Sequence, residues 1–377
     1  MKIQRTTYLS LGSNQENCMQ NLQNAVDLIA QNVGDITCIS SVYKTAAWGF
    51  KSDDFLNICL QLTTNLIPEV LLERLLNIEQ KLGRIRPFED VYEPRIIDID
   101  ILLFEDEIIV SKNFIVPHKA MLNRQFVMVP LAEIAPNLMH PITKKTILAN
   151  LNENCEDASK VEKIEAQIIR PLSLVEKYNY IAIEGNIGAG KTSLAKMMSD
   201  DFNAKIVLER FAENPFLPKF YDDKERFAFP LEMSFLADRY QQLMDDLAQF
   251  DLFKNFIISD YYIFKSLIFA QVTLTQDEYN LYRRMFDLIY KEISKPDLYV
   301  YLYQNTERLL ENIKMRGRDY ERNITTDYLE KIHQGYATFI KSDQKLKTLI
   351  IDISNFDFVN RPEDYESLIQ KIKAFKT

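Results

Sequence analysis

The chain has 377 residues, 47% of them hydrophobic and 26% charged, with a formal net charge of -9. Those proportions are ordinary for globular chains, and the length suggests two or three domains. The acidic balance argues against a general nucleic-acid-binding or anionic-membrane surface. No run approaches the roughly 18 apolar residues of a membrane span, and residues 1–8 lead into a strand-like run rather than a signal peptide. Cys18, Cys38, Cys59 and Cys155 are scattered, with no C-x-x-C pair, which suits a reducing cytoplasm.

Residues 6–11 read as a strand, stopped by Gly12-Ser13-Asn14. A helix follows, with apolar positions Leu22, Val26, Leu28, Ile29 and Val33. Residues 36–44 and 55–63 alternate as strands do. Residues 67–82 are helical, with Pro68 in the first turn and Leu71, Leu72, Leu75, Leu76, Glu79 and Leu82 at helical spacing. The order strand, helix, strand, strand, helix, strand predicts a ferredoxin-like α+β domain.

Residues 95–104 read Arg-Ile-Ile-Asp-Ile-Asp-Ile-Leu-Leu-Phe. Side chains alternate along a strand, so Asp98 and Asp100 share one face, about 7 Å apart, while Ile97, Ile99 and Ile101 enter the core. Alone, an alternating acidic strand is usually a solvated sheet face. Here Arg84, Arg86, Arg95, His118 and Arg124 surround it in the sequence. Two carboxylates among arginines and a histidine suit a polyphosphate carried with Mg²⁺.

Leu11-Gly12-Ser13-Asn14, Tyr43-Lys44-Thr45, Phe55-Leu56-Asn57, Gly83-Arg84-Ile85-Arg86, the segment Pro94 to Asp100, Val116-Pro117-His118 and Asn123-Arg124-Gln125-Phe126 follow one another in this order. On these motifs, residues 1–152 resemble the 6-hydroxymethyl-7,8-dihydropterin pyrophosphokinases of folate biosynthesis. The resemblance implies transfer of the β,γ-pyrophosphoryl group of ATP to hydroxymethyldihydropterin, with AMP released. It implies that Asp98 and Asp100 bind two Mg²⁺ and that Arg84, Arg86, Arg95, His118 and Arg124 hold the ATP. Thr45, Phe55, Asn57 and Phe126 then line the pterin pocket, with the two rings enclosing the pterin. The loop at residues 87–94 is acidic where relatives are often basic, and Glu93 stands where many carry Gly. Residues 153–177 read as a semi-ordered charged connector, with one short strand expected at residues 167–169.

The second half turns on residues 178–192, an apolar strand running into Gly185-Asn186-Ile187-Gly188-Ala189-Gly190-Lys191-Thr192 and then a helix. This is a P-loop in its required context. The glycines let successive N–H groups converge on one anion, and the helix adds its positive end. Lys191 can reach the β- and γ-phosphates, and Thr192 can ligate Mg²⁺. Residues 205–208, 257–260, 298–302 and 348–352 read as further strands between long helices, which predicts a doubly wound parallel sheet. Glu209 and Asp260 end two of those strands, where ligands gather in such folds. Glu232 and Arg239 are seven apart on one helix face.

With Asn214-Pro215, Phe220-Tyr221, Leu231-Glu232-Met233, Arg239-Tyr240, Ser259-Asp260-Tyr261 and Arg316-Gly317-Arg318 in order, residues 178–377 resemble the deoxynucleoside kinases, especially their bacterial purine branch. The resemblance implies phosphoryl transfer from ATP to a deoxynucleoside 5′-hydroxyl and a dimer through this half. Glu209 matches the general base, Lys191 the phosphate lysine, and Arg316 and Arg318 the lid arginines. Tyr221 and Glu321 match groups that read the sugar 3′-hydroxyl; Glu232 and Arg239 lie where the base is read, and Asp260 is placed among the substrate contacts. Three departures stand out. Asn312 stands where many relatives carry a further lid-helix arginine. Asp260-Tyr261-Tyr262 lacks the arginine of animal relatives, whose place Lys265 can take, and Glu232 replaces a glutamine, which favours the N–H donors of guanine. Two other readings stay open: one half serving only as a binding or structural module, and a mechanical or signalling P-loop ATPase.

Overall fold

The computed structural model describes residues 4–46, 52–84, 95–111, 114–153, 160–210, 214–248, 253–318, 321–322, 324–342 and 346–375, without the side chains of Tyr221 and Ala248. The chain divides into two compact units, Lys2–Ser173 and Leu174–Thr377. No helix among the described residues is long and apolar enough to cross a membrane.

The first unit runs β1 (Arg5–Ser13), α1 (Cys18–Asn32), β2 (Asp35–Ile39), β3 (Tyr43–Thr45), β4 (Phe55–Thr64), α2 (Pro68–Lys81) and β5 (Asp98–Phe104). A small hairpin of β6 (Ile109–Val110) and β7 (Ile115–Val116) comes next, followed by α3 (Gln125–Ile134), α4 (Ile147–Glu153) and β8 (Glu162–Lys163). The main sheet is antiparallel, in the order β5-β1-β4-β3-β8, with β2 also paired to β4. That is the ferredoxin-like α+β arrangement expected.

Local chemistry starts its helices. The Asn17 side chain accepts the Gln20 N–H at the head of α1. Pro68 opens α2, where its missing N–H costs nothing. The sheet's period of two then sorts its residues. Leu9, Leu11, Ile58, Leu60, Ile99 and Ile101 face α1 and α2. Tyr8, Cys59 and Leu102 face α3, and Leu103 joins them where the register of β1 against β5 shifts.

Two expectations for this unit are corrected. Residues 36–44 form two strands, because the Ser40 hydroxyl accepts the Cys59 N–H at 2.9 Å where a ladder carbonyl would. Residues 167–169 form no strand. The Ile169 N–H and carbonyl instead pair with the Gln23 side chain at 2.8 and 2.9 Å, and the short added strand is β8.

The second unit begins with α5 (Leu174–Lys177), β9 (Tyr180–Gly185), α6 (Lys191–Phe202), β10 (Lys205–Val207), α7 (Leu217–Asp222), α8 (Lys224–Ala248) and β11 (Ile257–Ser259). It continues through α9 (Phe264–Thr273), α10 (Gln276–Tyr290), β12 (Leu298–Tyr303), α11 (Thr306–Arg316), α12 (Thr326–Ser342), β13 (Thr348–Asp352) and α13 (Pro362–Ala374). All pairings in its sheet are parallel, in the order β10-β11-β9-β12-β13. Ile181, Ile183, Val300 and Leu302 pack with Leu194, Leu309 and Ile369 on one face. Tyr180, Ala182, Tyr299 and Tyr301 pack with Leu236, Phe264 and Tyr336 on the other. Both faces are covered, as a parallel sheet requires, and this is the doubly wound sheet expected from the sequence.

Two candidate active sites

In the first unit, β5 presents Asp98 and Asp100 half-buried on one face and Ile99 and Ile101 buried on the other. Asp98 is gripped by Arg84 and Arg95, one to each oxygen. Two buried acceptors fix those arginines. Glu79, 1% exposed in α2, pairs with Arg84 and takes the Ile99 N–H at 2.8 Å. The Asn14 side chain accepts the Arg95 N–H at 2.7 Å. Glu79 escaped the site prediction because it sits within the apolar stripe of its helix; a lone carboxylate in that stripe is the signal that could have found it.

Asp100 stands differently. His118 Nε2 and Arg124 NH1 are each 4.0 Å from its Oδ2. Burial, and then the Asp98 carboxylate, push Asp100 up to about 7. Burial and the Arg124 charge push His118 down to about 4, so its imidazole is neutral at pH 7. His118 Nδ1 accepts the Ala120 N–H at 3.3 Å, which leaves the proton on Nε2, facing Asp100. Two crowded carboxylates, one resisting ionisation, fit Mg²⁺, which takes one or two carboxylates and completes its shell with water and phosphate oxygens.

Thr45 and Asn57 lie on adjacent strands, both buried, and the Asn57 amide donates to the Thr45 hydroxyl at 2.9 Å. Gly12 makes room for them: a Cβ there would stand 3.0 Å from Asn57 Oδ1 and 3.7 Å from the Phe55 ring. Phe126 is on α3, which packs on the sheet face of β4, and the Arg124 guanidinium lies 5.7 Å from its ring centroid. Arg86 and the acidic loop lie outside the described residues.

In the second unit, β9 feeds the P-loop. Gly188 and Gly190 adopt φ of 84° and 79°, and added Cβ atoms would meet the Leu309 carbonyl and the Phe358 ring at 2.8 Å each. Only glycine suits both the angle and the space. No side chain among the described residues caps the head of α6, so its first N–H groups remain for an anion. Lys191 folds back to donate to the Gly185 and Asn186 carbonyls at 2.9 Å each. Burial, and then the Lys265 charge, lower it to about 8. The Asn186 amide ties the loop to the Leu329 carbonyl at 2.8 Å, and the Ala189 side chain is buried beneath it. Ile187 packs against the hydrophobic clusters on both faces of the sheet.

Thr192 hydrogen-bonds to Asp260, whose other oxygen accepts the Glu209 N–H at 2.8 Å. Asp260 therefore stands on the Thr192 side of the site, where P-loop enzymes hold their metal. Glu209 follows the end of β10. Its Oε1 takes Arg239 NH2 at 2.7 Å and its Oε2 takes Lys265 Nζ at 2.5 Å. Burial disfavours the Glu209 charge, but Lys265 and Arg239 outweigh it and hold the group far below the ordinary carboxylate range. Arg239 is itself set by Ser266 at 2.7 Å and by the Phe235 ring at 4.8 Å.

Glu232 is buried further along the same helix face, with Thr273 2.9 Å from its Oε1. Arg316 and Arg318 both engage Glu321, at 2.6 and 3.3 Å. Asn312 on α11 donates to the Gly188 carbonyl at 2.8 Å. The Tyr221 side chain lies outside the described residues. Glu184 is a residue that sequence reasoning missed. Fully buried at the end of β9, it accepts the Tyr262 N–H at 2.7 Å and the Tyr336 hydroxyl at 2.8 Å. A charged residue in an otherwise apolar buried strand was the available sign.

Comparison with known proteins follows the same division. The family model for 7,8-dihydro-6-hydroxymethylpterin-pyrophosphokinase matches residues 8–136, and that for deoxynucleoside kinase matches residues 181–376. The 2-amino-4-hydroxy-6-hydroxymethyldihydropteridine pyrophosphokinase of Aquifex aeolicus is 40% identical over 150 residues, 40% of this chain and 92% of that protein. The deoxyguanosine kinase of Bacillus subtilis is 38% identical over 198 residues, 52% of this chain and 96% of that protein. The deoxyadenosine/deoxycytidine kinase of the same organism is 28% identical over 204 residues, 53% of this chain and 94% of that protein. The chain thus belongs to two families at once, with a hydroxymethyldihydropterin pyrophosphokinase domain in its first unit and a deoxynucleoside kinase domain in its second.

Proposed function

We propose that both domains are active MgATP-dependent transferases. In the first, the hydroxymethyl oxygen of 6-hydroxymethyl-7,8-dihydropterin attacks Pβ of ATP and gives up its proton to solvent, the bond from Pβ to the α,β-bridging oxygen breaks, and AMP leaves. The pairing of Asp98 and Asp100 on one strand face, ringed by Arg84, Arg95, His118 and Arg124, carries this reading. Mg²⁺ bound to the two aspartates would offset the charge of the phosphates. The arginines orient the phosphates, and Asn57, Thr45, Phe55 and Phe126 hold the pterin.

In the second domain, the 5′-hydroxyl of a deoxynucleoside attacks the γ-phosphorus, ADP leaves, and Glu209 receives the hydroxyl proton. The observation that carries it is Glu209 pinned between Arg239 and Lys265 beside Thr192 and Asp260. So acidic a carboxylate is a weak base but a fixed acceptor. It aligns the nucleophile and takes the proton late, which suits the loose transition state of phosphoryl transfer. The P-loop amides and Lys191 hold the phosphates, Thr192 and Asp260 would hold Mg²⁺, and Arg316 and Arg318 meet the transferring group. Glu321 and Tyr221 read the sugar, and Glu232 with Arg239 reads a purine, guanine before adenine. Leu281, Met285 and Leu288 form an exposed stripe on α10 that suits a second copy of the chain, and its mass in solution tests that dimer.

Product chromatography of the full chain with MgATP decides between one activity and two. AMP formed only with the pterin, and ADP only with a deoxynucleoside, is the expected result. ADP without pterin-dependent AMP would reduce the first domain to a binding module.

A further inference from the structure

Glu232 is 3% exposed within α8. Its Oε1 lies 2.9 Å from Thr273 Oγ1 on the last residue of α9, while its Oε2 is buried with no hydrogen-bond partner among the described residues. The same threonine hydroxyl lies 2.9 Å from the Phe269 carbonyl, one turn back. A hydroxyl has one proton to give and two lone pairs to accept with. If Glu232 is ionised, Thr273 donates to Oε1. If the proton is on Oε1, the carboxyl donates to Thr273, which turns its own proton to Phe269. If the proton is on Oε2, Thr273 again donates to Oε1. The Phe269 carbonyl loses nothing in any of these states, since the helical ladder also serves it. Glu232 can therefore gain or lose a proton without losing its partner, and only Oε2 is left to face a ligand.

The groups around it leave that choice open near neutrality. Burial raises Glu232 to about 7, against the lowering effects of Arg239 on the same helix, the Thr273 hydrogen bond and Lys265 on α9; Glu209 raises it further. Tyr282 of α10 approaches through its hydroxyl, 3.4 Å from the Glu232 backbone carbonyl. A buried acceptor without a partner costs free energy until a ligand satisfies it. The two purines offer opposite chemistry on their pairing edges. Guanine presents N–H donors at N1 and N2, whereas adenine presents a ring acceptor at N1 beside its amino donor.

We propose that Glu232 and Thr273 together form a proton-adjusted reader of the purine edge, in which the carboxylate accepts from deoxyguanosine and the carboxylic acid donates from Oε2 to deoxyadenosine. This rests on the reading of Glu232 as a base contact, and its consequence is a base preference that changes with pH.

The test is competition between deoxyguanosine and deoxyadenosine for the full chain with MgATP, from pH 6 to pH 8. The ratio of their kcat/KM values should rise by about tenfold to about 100-fold over this range, as one group titrates near its centre. Glu232→Gln should give a ratio that does not vary with pH. Thr273→Val removes a donor to the carboxylate and should move the midpoint to higher pH. Calorimetry at pH 7 in two buffers of different ionisation enthalpy needs no variant. It should show proton uptake with deoxyadenosine and release with deoxyguanosine. A flat wild-type ratio, or no proton exchange, overturns the proposal. If the wild-type ratio is flat but Glu232→Gln changes it, the base contact stands and the proton switch falls. If Glu232→Gln matches the wild type at every pH, the base contact itself falls, and the proposal with it.

Discussion

The two sites gather their carboxylates in opposite ways. Asp98 and Asp100 are two residues apart on one strand, so strand geometry alone aims them together. Glu209, Asp260 and Lys265 come from the loops and helix that follow β10 and β11, while Arg239 projects from α8; the sheet order brings them together. The first arrangement ties the site to the core, because moving one face of β5 moves the other. In the second, charged partners arrive from separate elements, so each can be removed singly. The charges show the same contrast. Asp100, with the Arg124 cation 4.0 Å away and a neutral His118 beside it, is pushed up, whereas Glu209, with cations at 2.5 and 2.7 Å, is held down.

Crossed substitutions give the largest expected effect. Glu209→Gln should cut deoxynucleoside-dependent ADP formation by about 10²-fold to about 10⁴-fold and leave pterin-dependent AMP formation unchanged. Asp100→Asn should do the reverse. Loss of both activities from either variant would mean that the domains do not work separately. Next, Ile99→Asp puts a carboxylate on the core face of β5, where Ile99 is 6% exposed. The first domain should lose about 3–5 kcal/mol in denaturant unfolding.

A smaller effect is expected from Lys265→Met, about tenfold in deoxynucleoside kcat/KM. Its sharper sign is in the pH profile. Lys265 helps hold Glu209 low, so without it the folded-state pKa rises and activity is lost at a higher pH on the acid side. An unmoved acid limb would assign that limb to another group. The smallest is Tyr336→Phe, which deletes the hydroxyl given to the buried Glu184 and should destabilise the second domain by about 1–3 kcal/mol, measured by its thermal midpoint.

Much of the fold was legible because its signals are local. Alternation placed the strands, the helical spacing of Leu71, Leu72, Leu75, Leu76, Glu79 and Leu82 placed α2, and the glycines at 185, 188 and 190 marked the phosphate loop. Alternation failed at Ser40, where a side-chain hydroxyl replaced a ladder carbonyl, and at residues 167–169, where Gln23 satisfied the backbone instead of a strand. Both are contacts with distant residues, which periodicity does not register.

The sequence by itself determined where residue types suited to phosphate and metal stand: the paired aspartates of β5 and the glycine-rich turn with Lys191 and Thr192, each written within a dozen residues. Only the tertiary structure decided their partners. It closed Glu79 and Asn14 onto the arginines around Asp98, set Glu184 under the P-loop, clamped Glu209 between Arg239 and Lys265, and left Glu232 with one oxygen on Thr273 and the other without a partner among the described residues. The reason is physical. Dihedral preferences and side-chain periods act over a few residues, whereas burial and ion pairing act through space, between segments that only the packing of sheets and helices brings together.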